Sequence, residues 1–269
     1  MSKARELIRL HERYRRKTVN LIPSENILSP AALKALSTDL AGRYSLRPEF
    51  YGGTRFIRGI WEYAEELARK LFQAEHVLLE PISGHVAAIL TSHTFAGRGK
   101  LATISSVHGG YPGYEPTRIP DLLGIRLIQL PASEEYLLPK VEESIEVIRR
   151  ERPDLLVLGG SMILFPHPVE ELAEAVHEYG GTVAYDASHV LGLIAGGVFQ
   201  DPLREGADLI YASHHKTFPG PQGAIILTNS QEVYEKLLEN IYHKIVDNIH
   251  FNRIAGLAVT LEEMIKYGK

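Results

Sequence analysis

The chain has 269 residues, 45% of them hydrophobic and 23% charged, the balance of a soluble globular protein rather than a disordered or collagen-like chain. It contains no cysteine, which excludes disulfides, thiolate metal sites and cysteine nucleophiles. A formal net charge of −4 gives no whole-chain affinity for nucleic acid, and no apolar run approaches the ~20 residues that span a bilayer. The expectation is a cytoplasmic protein with neither nucleic acid nor a membrane as partner.

Residues 3–16 read as a basic amphipathic helix, with Leu7, Ile8, Leu10 and Tyr14 on a rough apolar stripe. Its surplus of Lys and Arg over Glu6 and Glu12 suits an arm packing on a partner subunit better than an RNA-binding arm. From Glu75 onward, short apolar runs at 76–79, 100–104, 125–130, 154–159, 182–185, 208–212 and 223–228 have the length and composition of buried strands. Helical stretches at 59–74, 85–96, 139–151, 168–179 and 231–244 separate many of them. Pro139 and Pro168 fall where a first helical turn is expected, and Gly180 just past a last one. This alternation predicts an α/β fold of three layers, a mostly parallel sheet with helices on both faces. Residues 251–267 form a last helical stretch, read as leading toward a further domain outside these residues, with Gly268 as a cap if the chain ends naturally there.

Ligands of such sheets collect at the carboxyl ends of the strands. Asp186 closes the run that begins at Thr182, and the run beginning at Asp208 opens into Ser213, His214, His215, Lys216 and Thr217. One βαβ-sized step therefore brings Asp186 and Lys216 to the same sheet edge. A partly buried lysine there favours its neutral amine, the form that attacks an aldehyde. Upstream, Ser83, Gly84 and His85 join a strand to a helix whose first N–H groups can hold an anion. An anion loop, an acid and a lysine, in that order, match pyridoxal 5′-phosphate. A metal held by His167, His189, His214, His215 and Asp186 is the weaker reading, since no two histidines share a helix face. The segment from Gly97 to Lys100 fails the phosphate-loop pattern because Leu101 follows the lysine.

From about residue 18 onward the sequence resembles the serine hydroxymethyltransferase family of fold-type-I pyridoxal phosphate enzymes. The resemblance rests on the segment 20–30 with Ser24, Glu25 and Asn26, then Tyr51-Gly52-Gly53, Ser83-Gly84, His108-Gly109-Gly110, Asp186 to His189, His215-Lys216-Thr217 and Gly220-Pro221. It implies an N-terminal arm over 1–40, a cofactor-binding large domain over 41–250, and a linking helix over 251–269 toward a C-terminal domain these residues do not include. It implies that Lys216 is the aldimine lysine and that Asp186 pairs with the ring nitrogen. Ser83, Gly84 and His85 would hold the phosphate, Ser161 and His189 would contact the ring's phenolic oxygen or the substrate, and Ser188, Ser213 and His215 would complete the cofactor shell. Tyr44 would reach the phosphate of a neighbouring subunit, which implies a homodimer with shared sites. Ser24 and Tyr51 would line the substrate pocket.

The departures from the family's pattern bear on the reaction. Tyr111 stands where the family stacks a histidine on the ring, and tyrosine titrates near pH ~10 rather than ~6.5. His85 replaces a serine of the anion loop, Gln222 an arginine, and Asp247-Asn248 a double glycine. The segment after Tyr44 is short, with Leu46 at the naive position of a glutamate used with folate and Glu49 the only carboxylate nearby. The implied function is breaking or forming the Cα–Cβ bond of serine, glycine or a related β-hydroxy amino acid, with His189, Tyr51 and Glu49 as candidate bases. Tetrahydrofolate or a tetrahydropterin is the implied co-substrate. The alternatives are a folate-independent aldolase on the same scaffold and a non-catalytic, cofactor-binding paralogue or fragment.

Overall fold

The computed structural model describes residues 2–45 and 51–268. Two short helices, α1 (Lys3–Arg15) and α2 (Pro30–Leu36), precede α3 (Ile57–Phe72). The alternating part follows as β1 (His76–Leu78), α4 (Gly84–Phe95), β2 (Lys100–Thr103), α5 (Ile119–Leu123), β3 (Arg126–Gln129), α6 (Val141–Glu151), β4 (Leu155–Gly159), α7 (Val169–His177), β5 (Thr182–Asp186), α8 (Leu191–Ala195), β6 (Leu209–Ser213) and β7 (Ala224–Thr228). Helices α9 (Gln231–Ile241) and α10 (Phe251–Tyr267) close the chain.

The strands form one sheet in the order β1-β7-β6-β5-β4-β2-β3. All neighbours from β3 to β6 are parallel, and β7 runs antiparallel between β6 and β1. The exception has a local cause. Only residues 214–223 connect β6 to β7, too few for the crossover of roughly a dozen or more that a parallel return needs. That connection therefore turns back at the carboxyl edge of β6 and leaves Lys216 there. Every residue of β4, β6 and β7 is buried, so helices cover both faces of the central strands, as their unbroken apolar runs require.

The helices begin close to where their sequence signals lie, with two shifts. Lys140, not Pro139, is the residue before α6, and Pro139 instead pairs with Ala132 in an isolated bridge. Pro168 caps α7 from outside rather than occupying its first turn. In α3, Ile57, Trp61, Ala64 and Ala68 recur at helical spacing and are buried. α10 packs along α3 and α2, its Phe251 ring edge-on to Trp61 with centroids 5.6 Å apart. By contrast, α1 has no buried residue, and Leu7, Ile8, Leu10 and Tyr14 are each more than half exposed.

Candidate active site

A small cavity of about 40 Å³ opens at the carboxyl ends of β4, β5 and β6, beside the first turn of α4. It is lined by Gly84, His85, Tyr111, Gly160, Ser161, Asp186, Ser188, His189, Ser213 and Lys216.

Lys216 leaves the sheet edge on the 214–223 turn, which Asn26 ties down by donating to the Lys216 main-chain oxygen at 2.5 Å. Its Nζ lies 3.1 Å from His189 Nε2. Burial lowers the Lys216 pKa, and the charge of Asp186 partly opposes this. Burial and the Lys216 charge lower His189 to about 4, so its imidazole is neutral at pH 7 and can accept from the amine. Asp186 is buried, and burial raises its pKa. The Ser188 N–H at 3.0 Å, the Lys216 charge and the Tyr211 hydroxyl pull it back down. Ser188 in turn accepts from the Ser213 N–H at 3.0 Å, joining the ends of β5 and β6.

The wall of the cavity is aromatic. Tyr111 OH and His85 Nδ1 are 2.8 Å apart, and burial holds the phenol protonated by raising its pKa. The bend that folds this ring back depends on Gly113, where a Cβ would sit 2.2 Å from the Tyr111 ring. At the first turn of α4, Ser83 caps the helix by accepting from the Val86 N–H at 3.2 Å. The N–H groups of Gly84 and His85 point out of that turn. Gly84 lets the Ser213 hydroxyl approach closely, since a Cβ there would lie 2.2 Å from Ser213 Oγ and force that hydroxyl to turn away.

Other residues singled out from the sequence lie elsewhere. Ser83 is a half-buried cap outside the cavity lining. His215 and Ser24 line an adjacent chamber beneath α1, together with Gln222 and Asn26. Tyr44 and Tyr51 stack edge-on, centroids 6.0 Å apart, and Tyr44 donates to Asp247 at 2.9 Å. Neither lines this cavity. Glu49 lies outside the described residues. Asn26 stood in the sequence only as part of the 20–30 motif, with no role of its own, and Gly160, Tyr114 and Tyr211 had none; of these last three only Tyr211, a polar ring at the end of an apolar strand run, carried any signal. Among the described residues there is no cluster of three or more side chains able to hold a metal ion, and no helix long and apolar enough to cross a membrane.

A sequence profile of the serine hydroxymethyltransferase family matches residues 2–267. The serine hydroxymethyltransferase of Pyrococcus abyssi is 39% identical over 99% of this chain and 64% of its own length. That of Methanothermobacter marburgensis is 40% identical over 98% and 63%, respectively. The chain thus spans less than two thirds of the length of these curated relatives. Among solved structures, L-threonine transaldolase from Pseudomonas fluorescens, in its internal aldimine state, superposes with a TM-score of 0.89 at 24% identity, covering 98% of this chain and 62% of that one. This likeness gives the fold, the large-domain architecture of fold-type-I pyridoxal phosphate enzymes. The chain belongs to the serine hydroxymethyltransferase family.

Proposed function

We propose that this chain binds pyridoxal 5′-phosphate and breaks or forms the Cα–Cβ bond of serine, threonine or a related β-hydroxy amino acid. One observation carries the reading: a buried carboxylate and a half-buried primary amine line the same small cavity. The donor set fits the cofactor. The amine of Lys216 suits its aldehyde, and the carboxylate of Asp186, whose charge burial disfavours, suits a cationic ring nitrogen. The first turn of α4 and the Ser213 hydroxyl suit its phosphate.

When bound, the cofactor supplies an electron-accepting ring that weakens a bond at the substrate's Cα. The protein's own groups then decide orientation and proton movement. Lys216, whose pKa burial lowers, is the nucleophile. Tyr111 offers an aromatic face, fixed in azimuth by His85. Of the three candidate bases, His189 lines the cavity and is neutral at pH 7; we assign it the proton of the substrate's β-hydroxyl. Ser24 and Gln222, in the adjacent chamber, are placed to meet a co-substrate such as tetrahydrofolate or a tetrahydropterin.

Purified protein is expected to give a visible absorbance band on titration with pyridoxal phosphate, a band that moves on adding glycine, serine or threonine. Borohydride reduction should then fix the cofactor on the peptide carrying Lys216. No adduct, or an adduct on another lysine, overturns the reading. Stimulation of serine cleavage by tetrahydrofolate or a tetrahydropterin selects the hydroxymethyltransferase; no stimulation by either leaves the aldolase.

The functional unit is proposed to be a homodimer. The uncovered stripe of α1 supports this, as does the direction of Tyr44, which bonds Asp247 away from its own cavity. Sedimentation across a dilution series should show cofactor affinity falling as dimers dissociate, and a monomer of undiminished affinity would sink the assignment.

A further inference from the structure

Two buried phenols beside the cavity take no part in the roles assigned above. Tyr211 on β6 is the register partner of Asp186 on the neighbouring parallel strand β5, so the two side chains leave the sheet on the same face. Tyr114 comes from the short turn Pro112–Tyr114, and its hydroxyl lies 2.8 Å from that of Tyr211. Both rings are buried. The Tyr211 hydroxyl acts on Asp186 and pairs with the Tyr114 hydroxyl, in which pair either phenol can be the donor. The Tyr114 ring also stands edge-on to Tyr111, with centroids 5.8 Å apart and planes at 88°. Tyr114 therefore touches both the aromatic wall of the cavity and the support of its buried acid.

We propose that Tyr114 and Tyr211 form a two-hydroxyl relay, Tyr114 donating to Tyr211 and Tyr211 to the Asp186 carboxylate, which only accepts, and that this relay positions Asp186 and sets its proton affinity. They are positioning residues for the cationic ring that this carboxylate would meet. The inference leans on the cofactor reading only for the identity of that ring, because both phenols and the carboxylate belong to the protein itself. Besides Tyr211, the groups acting on Asp186 are the Ser188 N–H and the Lys216 charge. The Tyr111, Tyr114 and Tyr185 phenols feel its charge in turn. Burial and the proximity of Asp186 raise the pKa of Tyr211, so it remains a donor across the working pH range. A donor to a buried anion spreads its charge and lowers its proton affinity. If the two hydroxyls merely satisfied each other, their removal would leave Asp186 untouched.

The test uses full-length protein without cofactor, selectively 13C-labelled at aspartate carboxyls, with the Asp186 signal assigned through Asp186→Asn. Its titration midpoint is expected to rise by about one pH unit in Tyr211→Phe, a tenfold gain in proton affinity. A smaller rise is expected in Tyr114→Phe, which acts only through Tyr211. Tyr114→Phe decides the matter alone if Tyr211→Phe does not fold. Unmoved midpoints in folded variants overturn the relay, whatever happens to their melting temperatures. The same samples are then titrated with pyridoxal phosphate. A shifted midpoint without cofactor binding keeps the relay and removes the cofactor reading. Cofactor captured by Lys216 with unmoved midpoints does the reverse.

Discussion

Lys216→Ala is expected to abolish the visible band formed with pyridoxal phosphate and to lower aldehyde release from threonine or serine by about 10⁴–10⁶-fold, the range seen when a covalent nucleophile is removed. The loss should be chemical, not structural. The 214–223 turn is tied to the N-terminal segment through the main-chain oxygen of residue 216, which accepts from Asn26 and survives truncation of the side chain. The amine's own hydrogen-bond contact, 3.1 Å to His189 Nε2, is to a neutral ring, and Asp186, which loses the Lys216 charge, can take up a proton because burial already raises its pKa. The melting temperature should therefore stay within about 2 °C of wild type, an effect below ~1 kcal/mol. Because truncation leaves a gap beside Asp186, small primary amines such as methylamine should restore part of the activity. Activity within tenfold of wild type in a folded Lys216→Ala protein would remove Lys216 from the reaction.

Most of the sheet was legible because its strands are buried on both sides. Such strands read as unbroken apolar runs, and Leu155–Gly159 and Ala224–Thr228 stand out without any alignment. Asp186 and Lys216 were legible for the same reason, since each follows directly from a strand that could be recognised. The direction of β7 was not read, although the shortness of the 214–223 connection contained the answer. Helices α2, α5 and α8 were missed. At five to seven residues they are too short to show periodicity or to stand without tertiary packing. The Tyr114–Tyr211 contact joins residues 97 apart in sequence, and no local pattern encodes which buried hydroxyl will meet which. The fate of Tyr111 depended on two neighbours of different kinds: His85 from another helix, and Gly113, whose missing side chain leaves room for the ring.

Arg253 illustrates a signal that was present and unread. A cation in the first turn of α10 opposes the helix dipole, and its presence there implies a stronger interaction elsewhere. The side chain is buried at 5% exposure. Its guanidinium donates to the main-chain oxygens of Leu79, Glu80 and Ile249 at 2.7, 3.3 and 2.9 Å, pinning α10 to the chain leaving β1. Burial lowers its pKa to about 10, opposed by the charge of Glu80, so it is still protonated at pH 7. Glu80 is itself held by the Tyr242 hydroxyl at 2.9 Å. Arg253→Ala would leave the Glu80 charge and several carbonyls buried without their cation, a loss of about 3–5 kcal/mol. For a chain of this size that corresponds to a fall in melting temperature of about 6–15 °C. Arg253→Met separates the causes: it restores the buried volume but no donor, and should recover little. Arg253→Lys should recover less than half, because an ammonium cannot serve three carbonyls with a planar fork. A melting temperature within about 2 °C of wild type for Arg253→Ala, or full recovery in Arg253→Met, would mean that packing of Phe251, Ile254 and Leu257 holds α10 in place without the guanidinium.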